Sequence, residues 1–321
     1  MKINDVTYGK FEIKEKVIKE LIDSKPVQRL KGICQYGVPD EFYSFKNYSR
    51  YEHSVGVMLL LRKLNASLEE QIAGLLHDVS HTAFSHVIDW VVGTADKEDF
   101  QDRNHQRFVL NTEIPKILLK NGLNADEIVN FKNFSLLERE IPNVCADRVD
   151  YSLKDYMTDK AVIKPCVENM TNHDNKIVFS NKESALMFAL NFLKCQSEHW
   201  GDAERNLRWY FFADAMKMAL KNNIIVMDDF YKDDSYVVKK LTSSKNKEIK
   251  GLLNMLRGKL DFKFVDKNPE ILLKKKFRYV DPEYLENGKL YRLSDTNENF
   301  KNFLHLQKAE NNLGLKINLL K

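Results

Sequence analysis

Glycine and proline are scarce in this chain, 12 and 7 among 321 residues. That leaves few of the punctuation points an all-β domain needs and favours a helix-rich globule. No apolar run reaches the roughly 18 residues of a membrane span. The opening Met1-Lys-Ile-Asn-Asp-Val6 lacks the apolar stretch of a signal peptide. Cys34, Cys145, Cys166 and Cys195 are scattered with no CxxC pair, so neither a zinc ribbon nor a disulfide framework is suggested; a reducing cytoplasm is expected. The charge excess is mild, a net +4. It suits a protein that handles phosphate but does not argue for nucleic acid. The 43% of hydrophobic residues is ordinary for a folded chain, and its length allows one large domain or a main domain with an appendage.

What is present in excess is histidine, locally. In Gln71–Val92 the apolar residues Ile72, Leu75, Leu76 and Val79 fall on one helical face, and Ser67 with Glu70 forms a capping-box pattern before them. A core helix should continue apolar, yet this one runs into His77, Asp78, His81 and His86. Burying so many titratable groups without partners would cost several kcal/mol. A bound cation would offset that cost, since it takes neutral imidazole and carboxylate as ligands. A single histidine in such a helix is more often a hydrogen-bonded core residue than a ligand. Here five of eight (His53, His77, His81, His86, His105) lie in one short part of the chain.

Taken in order, Asp5–Ile13 reads as extended with a turn at Gly9, and Lys14–Ser24 as an amphipathic helix ended by Pro26. A helix is expected over Val27–Gln35, a loop over Tyr36–Ser49, and a helix over Arg50–Leu64 carrying His53 on its apolar face. Further helices are expected near Ser67–Val79, Thr82–Val92, from His105 onward, Pro115–Lys120, Ala125–Asn130 and Asn143–Tyr156, the last with Asp147 and Asp150 on one surface. Strand-like Lys176–Phe179 precedes two long helices near 182–196 and 203–221. From about Asn222 the chain becomes lysine-rich, with strand-like pieces at Asp261–Val265, Lys276–Val280 and Lys289–Leu293 and a last helix near Asn297–Ala309. The expected architecture is therefore mainly α: a helical core over 1–221 and a basic α+β appendage over 222–321. Its lysines read as solvated surface before any binding role.

His53, the His77-Asp78 pair and Asp147 come from three separate helices that could meet in a bundle. Two imidazoles and two carboxylates suit Mn, Fe, Zn, Ni or Co, and Mg less well. Four protein ligands leave positions for water and substrate, and a metal lowers the pKa of its bound water enough to make a nucleophile near neutral pH. His81 and His86 can exchange protons with a reacting phosphate, and Arg50, on the face of His53, can neutralise its charge.

These residues resemble the H…HD…D signature of the HD-domain phosphohydrolases. Asp5-Val-Thr-Tyr-Gly9, Leu21–Leu30, Gln35-Tyr-Gly37, Arg50–Gly56, His77-Asp78 with Phe84-Ser-His86, and Asp147-Arg-Val-Asp-Tyr151 follow one another as in the deoxynucleoside triphosphate triphosphohydrolase branch. That resemblance spans about the first half of the chain. It implies an HD helical bundle and attack of a metal-bound water on the α-phosphorus of a dNTP, releasing deoxynucleoside and triphosphate. It further implies His53, His77, Asp78 and Asp147 as metal ligands and His81, His86 and His105 as active-site histidines. Arg50 and Tyr151 match phosphate contacts, and Gln35 and Asp155 match holders of the sugar 3′-hydroxyl. The sequence departs from the branch at His77-Asp-Val-Ser-His-Thr-Ala-Phe-Ser-His86, where HDxGHGPFSH is usual. It also departs at Tyr48, where a histidine often stands, and at Tyr36, where an aliphatic residue is common beside the sugar.

Two other readings stay open: a phosphatase or phosphodiesterase on another small phosphorylated compound, and a non-catalytic nucleotide-sensing HD protein. The intact ligand set speaks against the latter. The expected partner is a small nucleotide; a homo-oligomer stays open, nucleic acid has no support, and no membrane is implicated.

Overall fold

The computed structural model describes residues 1–43, 47–155, 159–274 and 276–320. Residues 44–46 of the expected 36–49 loop and Tyr156 at the end of the expected 143–156 helix lie outside them.

A hairpin opens the chain, β1 (Lys2–Asp5) antiparallel to β2 (Gly9–Glu12). Helices α1 (Lys16–Ile22) and α2 (Lys25–Arg29) follow, and Pro26 sits in the first turn of α2, where its missing N–H costs nothing. The bundle centre is α3 (Arg50–Lys63) against α4 (Leu68–Leu76). A Cβ on Gly74 would lie 2.4 Å from Leu61 Cδ1, so glycine there permits the close approach of the two helices. Ser67 caps α4 by accepting from Glu70 N. The Glu70 side chain, however, turns away from the expected reciprocal bond and accepts Leu136 N and Leu137 N at 2.8 and 3.1 Å.

Around this pair run α5 (Val87–Val92), α6 (Phe100–Leu110), α7 (Ile114–Lys120), α8 (Ala125–Val129), α9 (Ala146–Asp155) and α10 (Lys160–Glu168). The helix expected from Thr82 starts only at Val87, because Phe84 and Ser85 hold left-handed φ of 64° and 49°. His105 lies inside α6 and does not start it.

Strands β3 (Met170–His173) and β4 (Lys176–Phe179) precede α11 (Lys182–Cys195), which runs into a π-turn over Gln196–Trp200, and then α12 (Ala203–Lys221). Beyond come α13 (Asp234–Ser243), α14 (Lys247–Arg257), β5 (Phe262–Phe264), β6 (Ile271–Leu273), β7 (Glu283–Glu286), β8 (Lys289–Arg292), α15 (Leu293–Thr296), α16 (Glu298–Asn312) and β9 (Leu315–Leu319). One sheet has the order β3-β4-β7-β8 and another β5-β9-β6. Asn287-Gly288, both at positive φ, make the two-residue turn joining β7 to β8. The expected strand at Lys276–Val280 is an irregular segment instead.

Two hydrophobic clusters form. One gathers α1, α3, α4, α9 and α11 and takes Val280, Tyr284, Leu293, Phe300 and Leu304 from the C-terminal part. The other gathers α12, α13 and α14 with Val38, Phe42, Phe84 and Ile317. Residues beyond 222 thus contribute to both. Among the described residues no helix is long and apolar enough to cross a membrane.

Candidate metal centre and its cavity

Local chemistry sets each side chain in place. Ser49 Oγ accepts from Glu52 N at 3.2 Å and the Glu52 carboxylate accepts from Ser49 N at 2.7 Å, so α3 starts at Arg50 and carries Arg50 and His53 one turn apart. At the other helix end, His77 Nδ1 donates to Gly74 O at 2.7 Å, which leaves Nε2 as the free ring nitrogen. Gln101 of α6 donates to His77 O at 2.6 Å and to Ser80 Oγ at 3.0 Å, holding the turn that follows. Asp147 comes from the first turn of α9.

His53 Nε2, His77 Nε2 and one Asp147 oxygen converge within 4.8 Å of one another. His53 Nε2 stands 3.3 Å from His77 Nε2 and 3.0 Å from Asp147 Oδ1, which is 3.5 Å from His77 Nε2. These two imidazole nitrogens, whose partner nitrogens already donate to Asp150 and Gly74, face each other and the Asp147 carboxylate. A cation fits that arrangement, and N/N/O donors suit a divalent transition metal. Asp78 stands beside the trio, its Oδ2 3.6 Å from His53 Nε2 and its Oδ1 3.4 Å from His77 Nε2. Its carboxylate is also shared with Arg50 Nη1 at 2.7 Å and His81 Nε2 at 3.2 Å.

The electrostatics point the same way. Burial works against a charge on His77, but the Asp78 and Asp147 carboxylates outweigh it and push the imidazole up to about 9. For His53, burial is likewise overcome by hydrogen bonds to Asp147 and Asp150, and its pKa rises. Burial also opposes ionisation of Asp78, yet Arg50 holds it well below the usual carboxylate range. The site therefore gathers carboxylates around two imidazoles and attracts a cation, proton or metal. His81 is driven well below the ordinary imidazole value by burial and by Arg50, so it stays neutral.

His77 and Asp147 of the trio, with Asp78, line a cavity of about 600 Å³, and His53 lies buried behind them. Arg50, His81, His86, Gln35, Tyr151 and Asp155 line it. Arg50 is fixed by Asp78 and by Ser85 Oγ, 2.9 Å from its Nε. His81 and His86 stack edge to face at 4.9 Å. Gln35 Oε1 is buried with no hydrogen-bond partner among the described residues. Asp155 is already engaged: Tyr36 Oη donates to Oδ1 and Trp200 Nε1 to Oδ2, the latter at 2.5 Å. His105, expected at the reacting centre, does not line the cavity. Its Nδ1 bonds Ser80 Oγ at 2.8 Å and its ring packs on Phe131, because it sits inside α6 with its face to the turn. Burial then pushes it down to about 3.

Sequence reasoning missed Asp150. It is wholly buried and accepts from His53 Nδ1 at 2.7 Å and from Lys154 Nζ at 2.8 Å. It explains Gly56 in the middle of α3, where a Cβ would lie 2.2 Å from Asp150 Oδ1 and from Lys154 Nζ. The signal was its spacing of three from Asp147 together with a mid-helix glycine. Phe84 and Ser85, left-handed without being glycine, are pinned by Asp234 Oδ1, which accepts from Phe84 N at 2.7 Å, and by Ser85 Oγ donating to Cys34 O at 2.6 Å. That turn aims His86 into the cavity.

Residues 50–152 match the HD domain family. The chain is 36% identical to the uncharacterized protein YdhJ of Bacillus subtilis, over 99% of both chains. It is 40% identical to the metal-dependent phosphohydrolase cns2 of Cordyceps militaris over 48% of this chain and 44% of that one. A deoxynucleoside triphosphate triphosphohydrolase SAMHD1 homolog of Dictyostelium discoideum is 36% identical over 28% of this chain but only 20% of its own length. Among solved structures, a hypothetical protein from Aquifex aeolicus superposes with a TM-score of 0.63 at 19% identity, covering 94% of this chain and 93% of that one; that likeness is one of fold.

Proposed function

The chain belongs to the HD-domain family of metal-dependent phosphohydrolases, and from that premise we propose that its substrate is a nucleotide, first of all a dNTP cleaved to deoxynucleoside and triphosphate. The observation that carries the reading is Gln35 Oε1, without a hydrogen-bond partner among the described residues, on the cavity that His77 and Asp147 of the trio line. It is an acceptor with no donor among the described residues, set where a sugar hydroxyl could donate. The cavity volume suits a ligand of nucleotide size, and the SAMHD1 homolog named above supports a dNTP.

In this reading His53, His77, Asp147 and Asp78 hold a divalent metal. When bound, the metal supplies a Lewis acid and a nucleophilic water of lowered pKa. The remaining steps fall to the protein. Asp150 fixes the His53 proton on Nδ1 and so keeps Nε2 turned to the trio. Arg50, held rigidly by Asp78 and Ser85, presents a fixed positive charge to the phosphate, with Tyr151 as a further contact. His86, whose Nδ1 stands 3.5 Å from the buried Asp89 carboxylate, lines the cavity as the proposed proton donor or acceptor, with neutral His81 stacked against it. His105 steadies Ser80 and the turn, outside the cavity.

A second reading, a phosphatase or phosphodiesterase on another phosphorylated compound, is favoured by one observation: Tyr36 and Trp200 already occupy both oxygens of Asp155, the other residue of the sugar clamp. A panel of nucleotides supplied with Mn or Mg, with products identified, separates the two. Triphosphate release supports the first, orthophosphate the second, and no turnover with any compound refutes both.

A further inference from the structure

One wall of the cavity has no part in the chemistry above. The π-turn over Gln196–Trp200 organises it. Gln196, buried, clips down the irregular segment that brings in Lys276 and Arg278: its Nε2 donates to Lys276 O and its Oε1 accepts from Arg278 N, both at 3.2 Å. Trp200 O accepts from Arg205 Nη1 at 2.9 Å, and the Arg205 guanidinium lies over Trp209, 4.4 Å from the ring centre. Arg205 is only 7% exposed, and its Nε is buried with no hydrogen-bond partner among the described residues. The Arg278 guanidinium pairs with Glu98, and Lys276 Nζ stands 3.9 Å from the same carboxylate. Burial, and then repulsion from Arg278, lowers the Arg205 pKa.

Three cations thus line one wall of a cavity, with Glu98 as the carboxylate that pairs with Arg278 and lies beside Lys276, and Asp155 as a further carboxylate acting on Arg205. Burying guanidinium groups with donors unmet is costly, and an anion with several oxygens would offset the cost. Arginine forks match phosphate oxygens in pairs.

We propose that Arg205, Arg278 and Lys276 form a second anion subsite of this cavity, which takes the phosphate chain of the substrate beyond the phosphate that is attacked. The assignment to a substrate rests on the phosphohydrolase reading; the anion site itself does not. Glu98 acts as a built-in counter-ion that the phosphate chain must compete with.

The test is calorimetric titration of the whole chain, as purified, with inorganic tripolyphosphate and separately with orthophosphate. Tripolyphosphate should bind more tightly. Arg278→Gln and Arg205→Gln should each lower the ratio of the two affinities about 10- to 100-fold, the worth of a charge-assisted hydrogen bond. Glu98→Gln should raise that ratio, since it frees Arg278 for the ligand. A merely structural role for the Glu98–Arg278 pair would make both variants bind worse, and that result overturns the subsite, as does equal affinity for the two anions in the parent. If Arg278→Gln fails to fold, the sign of the Glu98→Gln effect still decides. The nucleotide panel run on the same preparations keeps the two ideas apart. Tripolyphosphate binding that depends on Arg278 without any turnover sinks the hydrolase reading alone. Turnover of triphosphates undiminished in Arg278→Gln sinks the subsite alone.

Discussion

Replacing Asp150 by asparagine should loosen the metal and the fold by separable amounts. The carboxylate is wholly buried and accepts from His53 Nδ1 at 2.7 Å and Lys154 Nζ at 2.8 Å. An amide can offer Nδ1 its oxygen, which keeps the tautomer with a weaker bond. Offered as its N–H, it sends the imidazole proton to Nε2, against the ligand face. Loss of such a partner typically costs 10- to 100-fold in metal affinity, about 1.4–2.7 kcal/mol. The same change strips Lys154 of its counter-ion, and breaking a buried pair costs about 3–5 kcal/mol of stability. The lower end applies here, because Lys154 keeps its bond to Glu52 O at 2.6 Å and its place over the Tyr48 ring. Chelator-competition titration with Mn gives the affinity, and urea unfolding the stability. The double variant Asp150→Asn with Lys154→Met removes the stranded charge. It should regain most of the stability while metal binding stays weak. Parent-like metal affinity in a folded Asp150→Asn, or recovery of both properties in the double variant, would refute a role in orienting His53.

Other expectations follow from the same geometry. Gly56→Ala, which helix propensity alone would make stabilising by about 1 kcal/mol, should instead destabilise by 2 kcal/mol or more, roughly the cost of overpacking, and weaken metal binding, because its Cβ would lie 2.2 Å from the Asp150–Lys154 pair; a urea titration reads it. His86→Ala should reduce turnover about 10²–10⁴-fold with metal content unchanged, and full activity would remove it from the proton-transfer role. Burial pushes Asp234 up to about 7, so the stability linked to it is complete below about pH 4 and is lost as pH rises through 7, by at most about 4 kcal/mol at 1.36 kcal/mol per unit. Urea melts of Asp234→Asn should lose that part of the pH dependence, and an unaltered profile would show that the carboxylate ionises freely. Dideoxynucleotides should be poor substrates beside dNTPs if Gln35 and Asp155 hold a 3′-hydroxyl; equal rates would remove the clamp.

The helices that build the site were legible because burial leaves a period in the sequence. Ile72, Leu75 and Leu76 mark α4, and the histidines and aspartate that interrupt that apolar face mark a place where polar groups must meet a partner. What could not be read locally was the identity of partners far along the chain. Glu70 satisfies a capping pattern on paper, yet its carboxylate serves Leu136 and Leu137. Thr82–Val92 has helical spacing, but the Phe84 N–H is drawn to Asp234, 150 positions later, and the backbone there is left-handed. Lys276–Val280 alternates like a strand, yet its backbone pairs with the Gln196 side chain instead of a neighbouring strand. Nor could the lysine-rich composition after Asn222 foretell that two of its cations face the cavity.

Helix α9 shows how the pieces bear on one another. It carries Asp147 at the trio, Asp150 behind His53, Tyr151 on the cavity and Asp155 at its end, so one rigid element sets the distance between the metal centre and the sugar clamp. Each oxygen of Asp155 already accepts one donor, Tyr36 Oη or Trp200 Nε1, so a 3′-hydroxyl would either take the lone pair left on one oxygen or displace one of those donors. In the second case, giving up a hydrogen bond to a charged acceptor costs about 1.5–3 kcal/mol, a loss of roughly 10- to 150-fold in affinity that the incoming hydroxyl recovers only in part. The remainder must come from elsewhere on the same ligand, and the cations on the opposing chain segments, Arg205 and Arg278, are where a phosphate chain would supply it. A nucleoside or a monophosphate has no such group to spend there. If the substrate is the proposed dNTP, tight engagement of its sugar and recognition of its phosphate chain then belong to one binding event.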